Sequence, residues 1–148
     1  MDELIFDRIQ SDVEYALNNP DSSSFLKGAY NYTDFNRIES WCGYIANELT
    51  SYGYTVSITT KTNWTMSDFP TKTETRRILA NIQTLINAFD PNIDGASDLN
   101  ILYFEKMTYQ KANKIEEILY NLNKLFENML VSFRYSGTFY SGESEGLL

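Results

Sequence analysis

The stretch Asp90-Pro-Asn92-Ile-Asp94-Gly95-Ala-Ser-Asp98 holds the residue types that a calcium loop uses. Acids or amides stand at its first, third, fifth and ninth positions, with glycine at the sixth. The pattern then stops. Position twelve is Ile101 where a bidentate glutamate is required, and position eight is Ser97 where an aliphatic residue belongs, so the stretch is read as an acidic turn. The chain has no histidine, which removes the commonest metal ligand and the usual general base near neutral pH. Hydrolase arrangements that pair serine or cysteine with histidine are excluded with it. Cys42, the single cysteine, can form neither an internal disulfide nor a zinc-thiolate cluster. Its place beside Trp41 on an apolar helix face makes it a buried thiol rather than a nucleophile. Twenty acidic residues allow a carboxylate pair of the kind glycoside hydrolysis needs, but no spacing singles one out. Glu116 and Glu117 point to different helix faces and read as solvated charge. The seven glycines form neither G-x-G-x-x-G nor G-x-x-x-x-G-K. No catalytic residue, cofactor site or metal ligand is assigned, and the chain is not expected to be an enzyme.

What remains is aromatic. The sequence holds 11 Tyr, 9 Phe and 2 Trp, and tyrosine joins an apolar body to a polar tip that suits half-exposed contact surfaces. Most of these rings are expected in the core and its rim. Trp64, with Tyr30, Tyr32, Tyr52 and Tyr54, is the candidate platform for a sugar or a partner chain. In the tail Tyr-Ser-Gly recurs at Tyr135 and Tyr140, where few helical neighbours are left to cover rings, so Tyr135, Phe139 and Tyr140 are the other candidate contacts.

Helices must position these residues. From Thr108 to Phe133, Ala112, Ile115, Leu119, Leu122, Phe126, Met129 and Phe133 recur at steps of three and four and share one stripe. Ile118, Leu125 and Leu130 widen it. The six large stripe residues contribute on the order of 10–18 kcal/mol if fully buried, before entropy is subtracted. Leu4 to Leu17 reads as a first helix with Ile5, Ile9, Val13, Ala16 and Leu17 inward, stopped by Asn18-Asn19-Pro20. A second helix, capped by Thr33 or Asp34, presents Phe35, Ile38, Trp41, Cys42, Ile45 and Leu49 and ends at Gly53. A third opens after Pro70 on the capping box Thr71-Lys-Thr-Glu74 and presents Ile78, Ile82, Leu85, Ile86 and Phe89. Tyr54, Val56 and Ile58 alternate with Thr55, Ser57 and Thr59, the period of a half-buried strand. Its expected partner is the tail, giving a small peripheral β-ribbon. Leu99, Ile101, Leu102 and Phe104 are expected to pack down within the long connection before Thr108.

Two helix starts share a pattern: Asn36-Arg-Ile38-Glu39 and Asn113-Lys-Ile115-Glu116 each place Asn, a basic residue, Ile and Glu in order. A duplicated helical pair is one reading and chance the other.

A length of 148 residues suits one domain, residues 1–148, able to bury roughly 70% of its unfolded surface without disulfide or metal. The net charge of −8 opposes stable contact with nucleic acid or an anionic membrane. No apolar run reaches a membrane span. Met1-Asp2-Glu3 lacks the start of a signal peptide, so folding in a reducing compartment is expected, and the Asn31 and Asn63 sequons carry no weight.

Four stretches taken together, Gly28-Ala-Tyr-Asn-Tyr-Thr-Asp-Phe-Asn-Arg37, Thr62-Asn-Trp-Thr-Met-Ser-Asp-Phe-Pro-Thr71, Met107-Thr-Tyr-Gln-Lys-Ala-Asn-Lys-Ile-Glu-Glu-Ile-Leu119 and Phe139-Tyr-Ser-Gly-Glu143, resemble a family of small proteins and modules from Firmicute phages and prophages. In that family they belong with tail or other virion structural genes. The resemblance runs from about Asp7 to Glu143 in the same motif order, and it carries over no catalytic or ligand-binding residue. It implies a virion structural or adaptor protein, made in the bacterial host cytoplasm, whose partners are other virion proteins and further copies of itself. A carbohydrate-binding, host-recognition module built on Trp64 is the alternative. The fold expected is all-α, about four helices in a bundle with the β-ribbon at its edge.

Overall fold

The computed structural model describes residues 1–21, 26–68, 70–89 and 108–143, with side chains as far as Ser132. The fold is all-α, with helices α1 (Gln10–Asn18), α2 (Tyr32–Ser51), α3 (Lys72–Phe89) and α4 (Tyr109–Glu143). The last three pack on one another. Ile38, Ile45 and Leu49 of α2, Leu79, Ile82, Leu85 and Ile86 of α3, and Ile115, Ile118, Leu119 and Leu122 of α4 close the core between them. The α4 stripe is buried from Ala112 to Phe126, with Met129 and Leu130 half-buried against the same core. Leu125, expected to widen the stripe, is 37% exposed.

Local chemistry sets the helix ends. Asn31, rather than Thr33 or Asp34, caps α2: its Oδ1 accepts from the Thr33 amide at 2.9 Å, while Asp34 Oδ2 accepts from the Asn31 amide at 2.8 Å. Gly53, at φ 95°, ends α2 in a Schellman turn, with Tyr54 N donating to Leu49 O and Gly53 N to Thr50 O. Thr71 and Glu74 form the expected box ahead of α3.

Two expectations are corrected. The first helix begins at Gln10, not Leu4, and buries no side chain; Ile9 is 58% and Leu17 73% exposed. The residues before it run outside any helix because side chains of α4 hold their main chain, as described below. The β-ribbon is also absent: among the described residues there is no strand, and the segment meant to pair with Tyr54–Thr59 is part of α4, which continues helical to Glu143. Gly137 and Gly142 cost such a helix about 1 kcal/mol each relative to alanine without stopping it. The alternation in Tyr54–Thr59 is nonetheless real, since Tyr54, Val56 and Ile58 are half-buried and the residues between them exposed. The segment finds its hydrogen-bond partners on helices instead of on a second strand. Asp90–Asp98 and Leu99–Phe104 lie outside the described residues.

Candidate functional site

Charge that the sequence suggested would be solvated lies inside the protein. Glu116 is 0%, Glu39 1%, Asp34 1%, Arg8 3% and Arg37 6% exposed. These residues form two clamps of one design, each built on an Asn-x-x-Glu step of a helix and each closed on an extended segment.

In the first clamp α4 holds the N-terminal strap, residues 2–8. Asn113 grips the main chain of Arg8 from both sides: its Oδ1 accepts from Arg8 N at 3.1 Å and its Nδ2 donates to Arg8 O at 2.9 Å. Three residues on, Glu116 Oε1 accepts from Ile5 N at 3.0 Å, three residues upstream in the strap. Glu116 Oε2 meets Arg8 Nη2 at 2.9 Å, and Arg37 of α2 donates to both carboxylate oxygens, from Nε at 2.7 Å and Nη2 at 3.0 Å. In the second clamp α2 holds the segment Lys61–Trp64. Asn36 takes Trp64 N at 2.8 Å and gives to Trp64 O at 2.9 Å. Glu39 Oε1 accepts from Lys61 N at 2.9 Å, its Oε2 accepts from Trp64 Nε1 at 2.6 Å, and Arg77 of α3 donates to both oxygens. The main-chain contacts and the donor on the fourth side chain correspond, with Arg8 in the place of Trp64, while Arg37 braces its glutamate through Nε and Nη2 and Arg77 through its two Nη atoms.

A carboxylate has about four lone-pair sites, and in both glutamates four donors occupy them. Neither has an oxygen left to take a proton from a substrate, so the arrangement positions chain segments and is not set up for acid–base work. The Arg8 guanidinium is equally committed. Its five N–H groups face Lys27 O, Ile5 O, Asn113 Oδ1, Asp34 Oδ1 and Glu116 Oε2, and it lies over the Tyr30 ring. Asp34 ties the clasp to the start of α2, accepting from Arg8 and Arg37 on one oxygen and from the Asn31 amide on the other.

Burial disfavours the Arg37 cation, but the hydrogen bonds and charges of Glu116 and Asp34 more than reverse this and hold its pKa above the ordinary arginine range. The hydrogen bonds from Arg77 to Glu39 raise its pKa likewise. Tyr30 is held protonated, first by burial and then by the nearby Glu116 and Asp34 charges, and its enclosed hydroxyl has no hydrogen-bond partner among the described residues. A cavity of about 620 Å³ opens beside the clasp between Val13, Tyr30, Phe35 and the first turn of α4. Arg8 is the charged residue among its described lining, and with every donor used it offers no free charge to a ligand. Among the described residues no cluster of three or more side chains of metal-binding type occurs, and no helix is long and apolar enough to cross a membrane.

Of the predicted contact residues, Trp64 is interior. It is 3% exposed, packs at 5.5 Å from the Phe35 ring, lies under the Lys61 ammonium at 4.1 Å, and spends its N–H on Glu39. Its ring presents no face for a sugar to stack on. Tyr135, Phe139 and Tyr140 are on α4, beyond the last described side chain. Tyr52 remains exposed at the end of α2. Sequence reasoning missed Arg8, Glu39 and Glu116 as partners because the residues that answer them are 111, 105 and 79 positions away for the first clamp. The repeated Asn-basic-Ile-Glu pattern, read in the sequence only as duplication or chance, is the one signal that coincides with both clamps.

No family model, curated protein or solved structure matches the chain.

Proposed function

We propose that this protein is a phage-type virion structural or adaptor subunit that works by holding other polypeptide chains. The observation that carries the reading is the length of α4. It has 35 residues, about 52 Å at 1.5 Å per residue, against 20 for α2 and 18 for α3, about 30 and 27 Å. Burial fades along it: Phe126 is enclosed, Met129 and Leu130 are half-buried, and Val131 is 46% exposed. The helix continues for another 12 residues after Val131, through the aromatic stretch containing Tyr135, Phe139 and Tyr140. A helix this much longer than its neighbours, whose described side chains grow more exposed toward Ser132 and whose sequence goes on with large rings, is the form of an element meant for neighbours. The saturation of both buried glutamates supports a scaffold over a reactive site, and the resemblance of four stretches to phage virion modules points the same way. Partners on this reading are other virion proteins and further copies of the chain.

The test compares the full chain with one ending at Leu130, by light scattering over a wide concentration range and by co-purification with the products of neighbouring genes. Association by the full chain that is lost in the shortened one, with the α2–α3–α4 core still folded, is the expected result. A full chain that stays monomeric at millimolar concentration and binds none of those products overturns the proposal.

A further inference from the structure

The two ends of α4 differ in kind. Its first turn forms part of the wall of the cavity of about 620 Å³, where Val13, Phe35, Pro70 and Ala112 give an apolar lining and Gln10 and Gln110 add uncharged polar groups. That volume lies within the range of about 300–1,000 Å³ in which pockets for small ring-bearing ligands fall. The guanidinium of Arg8 is fully used inside the clasp, so the cavity suits a neutral occupant with an apolar body and a polar tip, which describes tyrosine. One wall belongs to α1, which buries no side chain and can therefore shift to admit a ring.

At the other end of the helix stand Tyr135, Phe139 and Tyr140, about 39–46 Å along the axis from Tyr109 at 1.5 Å per residue. One continuous helix holds cavity and rings apart. A chain's own rings cannot reach its own cavity, whereas those of a neighbour can. Charge favours a neighbour of the same kind. The chain carries −8 in all, but residues 131–143 hold only Arg134 and Glu143 and sum to zero, so this part approaches a copy without repulsion. The helix dipole adds to it. Both α2 and α3 begin with an acid, Asp34 and Glu74, while α4 has no acid in its first turn and no base in its last, where Glu143 stands at the negative end. Neither end of α4 is compensated by its own turn, and the last turn of one α4 set against the first turn of another compensates both.

We propose that the cavity is the docking site for the last turns of α4, Tyr135 to Tyr140, from a second copy of this chain, so that subunits join head to tail. The proposal rests on α4 being an element meant for neighbours, and it names the occupant and its seat. Two different surfaces meet in such a contact, so every subunit still has one cavity or one helix end to offer, and assembly closes into a circle or continues as a fibre.

Sedimentation velocity on the full chain tests it. The wild-type chain is expected to grow past the dimer as concentration rises. Val13→Trp fills the cavity from a helix that buries nothing, and a chain carrying Tyr135→Ser, Phe139→Ser and Tyr140→Ser removes the rings; each should stay monomeric at roughly ten times the concentration at which the wild-type chain is half assembled. Mixed one to one, the two variants should form a pair and nothing larger, since one supplies rings and the other an open cavity. A mixture no larger than its parts overturns the head-to-tail contact. Association that is lost in a chain ending at Leu130 but kept in Val13→Trp overturns docking in the cavity and leaves the proposed function standing. A wild-type chain that is monomeric to millimolar concentration also overturns the docking, and the proposed function falls with it only if the products of neighbouring genes fail to bind as well.

Discussion

Glu116→Gln is the most exacting perturbation of this structure because it changes one oxygen to nitrogen and leaves shape nearly untouched. Wild-type Glu116 receives four donors, and with Arg8, Arg37 and Asp34 it brings the formal charge of the clasp to zero. The amide keeps one acceptor oxygen, so at least two donors lose their partner, and the buried group becomes +1. Removing one member of a buried ion pair costs about 3–5 kcal/mol, since the charge left behind is neither paired nor hydrated. A domain of this size has about 5–15 kcal/mol in total, and each kcal/mol corresponds to about 2–4 °C in Tm, so a fall on the order of 6–20 °C is expected. Urea unfolding followed by circular dichroism measures the free-energy cost, and thermal unfolding the fall in Tm. Glu117→Gln, one residue on, is the control: its side chain is 44% exposed and 3.9 Å from the Lys114 ammonium, and its loss should stay within about 0.5 kcal/mol. Hydrogen exchange adds a readout of place. The Ile5 and Arg8 amides should lose protection in Glu116→Gln while those of Lys61 and Trp64, held by the other clamp, keep theirs. A cost below about 1 kcal/mol, or equal losses at 116 and 117, would refute the buried clasp.

Two further outcomes follow from the core. Leu122→Ala, at a position 0% exposed, should cost about 2–5 kcal/mol in the same urea experiment; under about 0.5 kcal/mol, the α4 stripe is not core. Cys42 gives a pH dependence. Its thiol is 1% exposed, and burial first, then the charge of Glu39, pushes its pKa well up. A free thiol ionises at about pH 8.5, so above that pH the unfolded chain releases a proton that the folded chain keeps. Stability from this group is complete below about pH 8.5 and falls by about 1.4 kcal/mol per pH unit as pH rises toward the folded value. Cys42→Ala should flatten urea midpoints between pH 8 and 10, and an unchanged slope would contradict the assignment; Tyr30, whose pKa is also raised, enters only above about pH 10.

The helices were legible because their signals are local. Stripes at three and four residues, a Thr-x-x-Glu box and a glycine after α2 each act within one or two turns, and all are found in place. The start of the first helix was misjudged for the opposite reason. Ile5 and Ile9 have helical spacing, but an α4 asparagine and glutamate more than a hundred residues away compete for the main-chain groups that a helix would use, and they win. The same cause underlies the missing ribbon. Period-two alternation reports a chain with one face on a core, and it does not say whether strand or side chains satisfy the other backbone groups. Here Thr59 O takes Arg77 and Asn81, Lys61 N takes Glu39, and Trp64 takes Asn36.

Buried polar networks of this kind add less to stability than apolar residues of equal volume and more to the choice of one arrangement over its competitors. Two extended segments lie against a helical core that has no sheet edge among the described residues to receive them. Apolar contact alone would let either slide by two residues and keep its alternation. An asparagine that grips both main-chain groups of a single residue permits no such slip, because a shift of even one residue leaves an amide, a carboxylate and a guanidinium buried without partners. Register, which neighbouring strands would otherwise fix, is therefore fixed by Asn36 with Glu39 and by Asn113 with Glu116. The motif that looked like a faint duplication in the sequence is the means by which a helical protein holds extended chain.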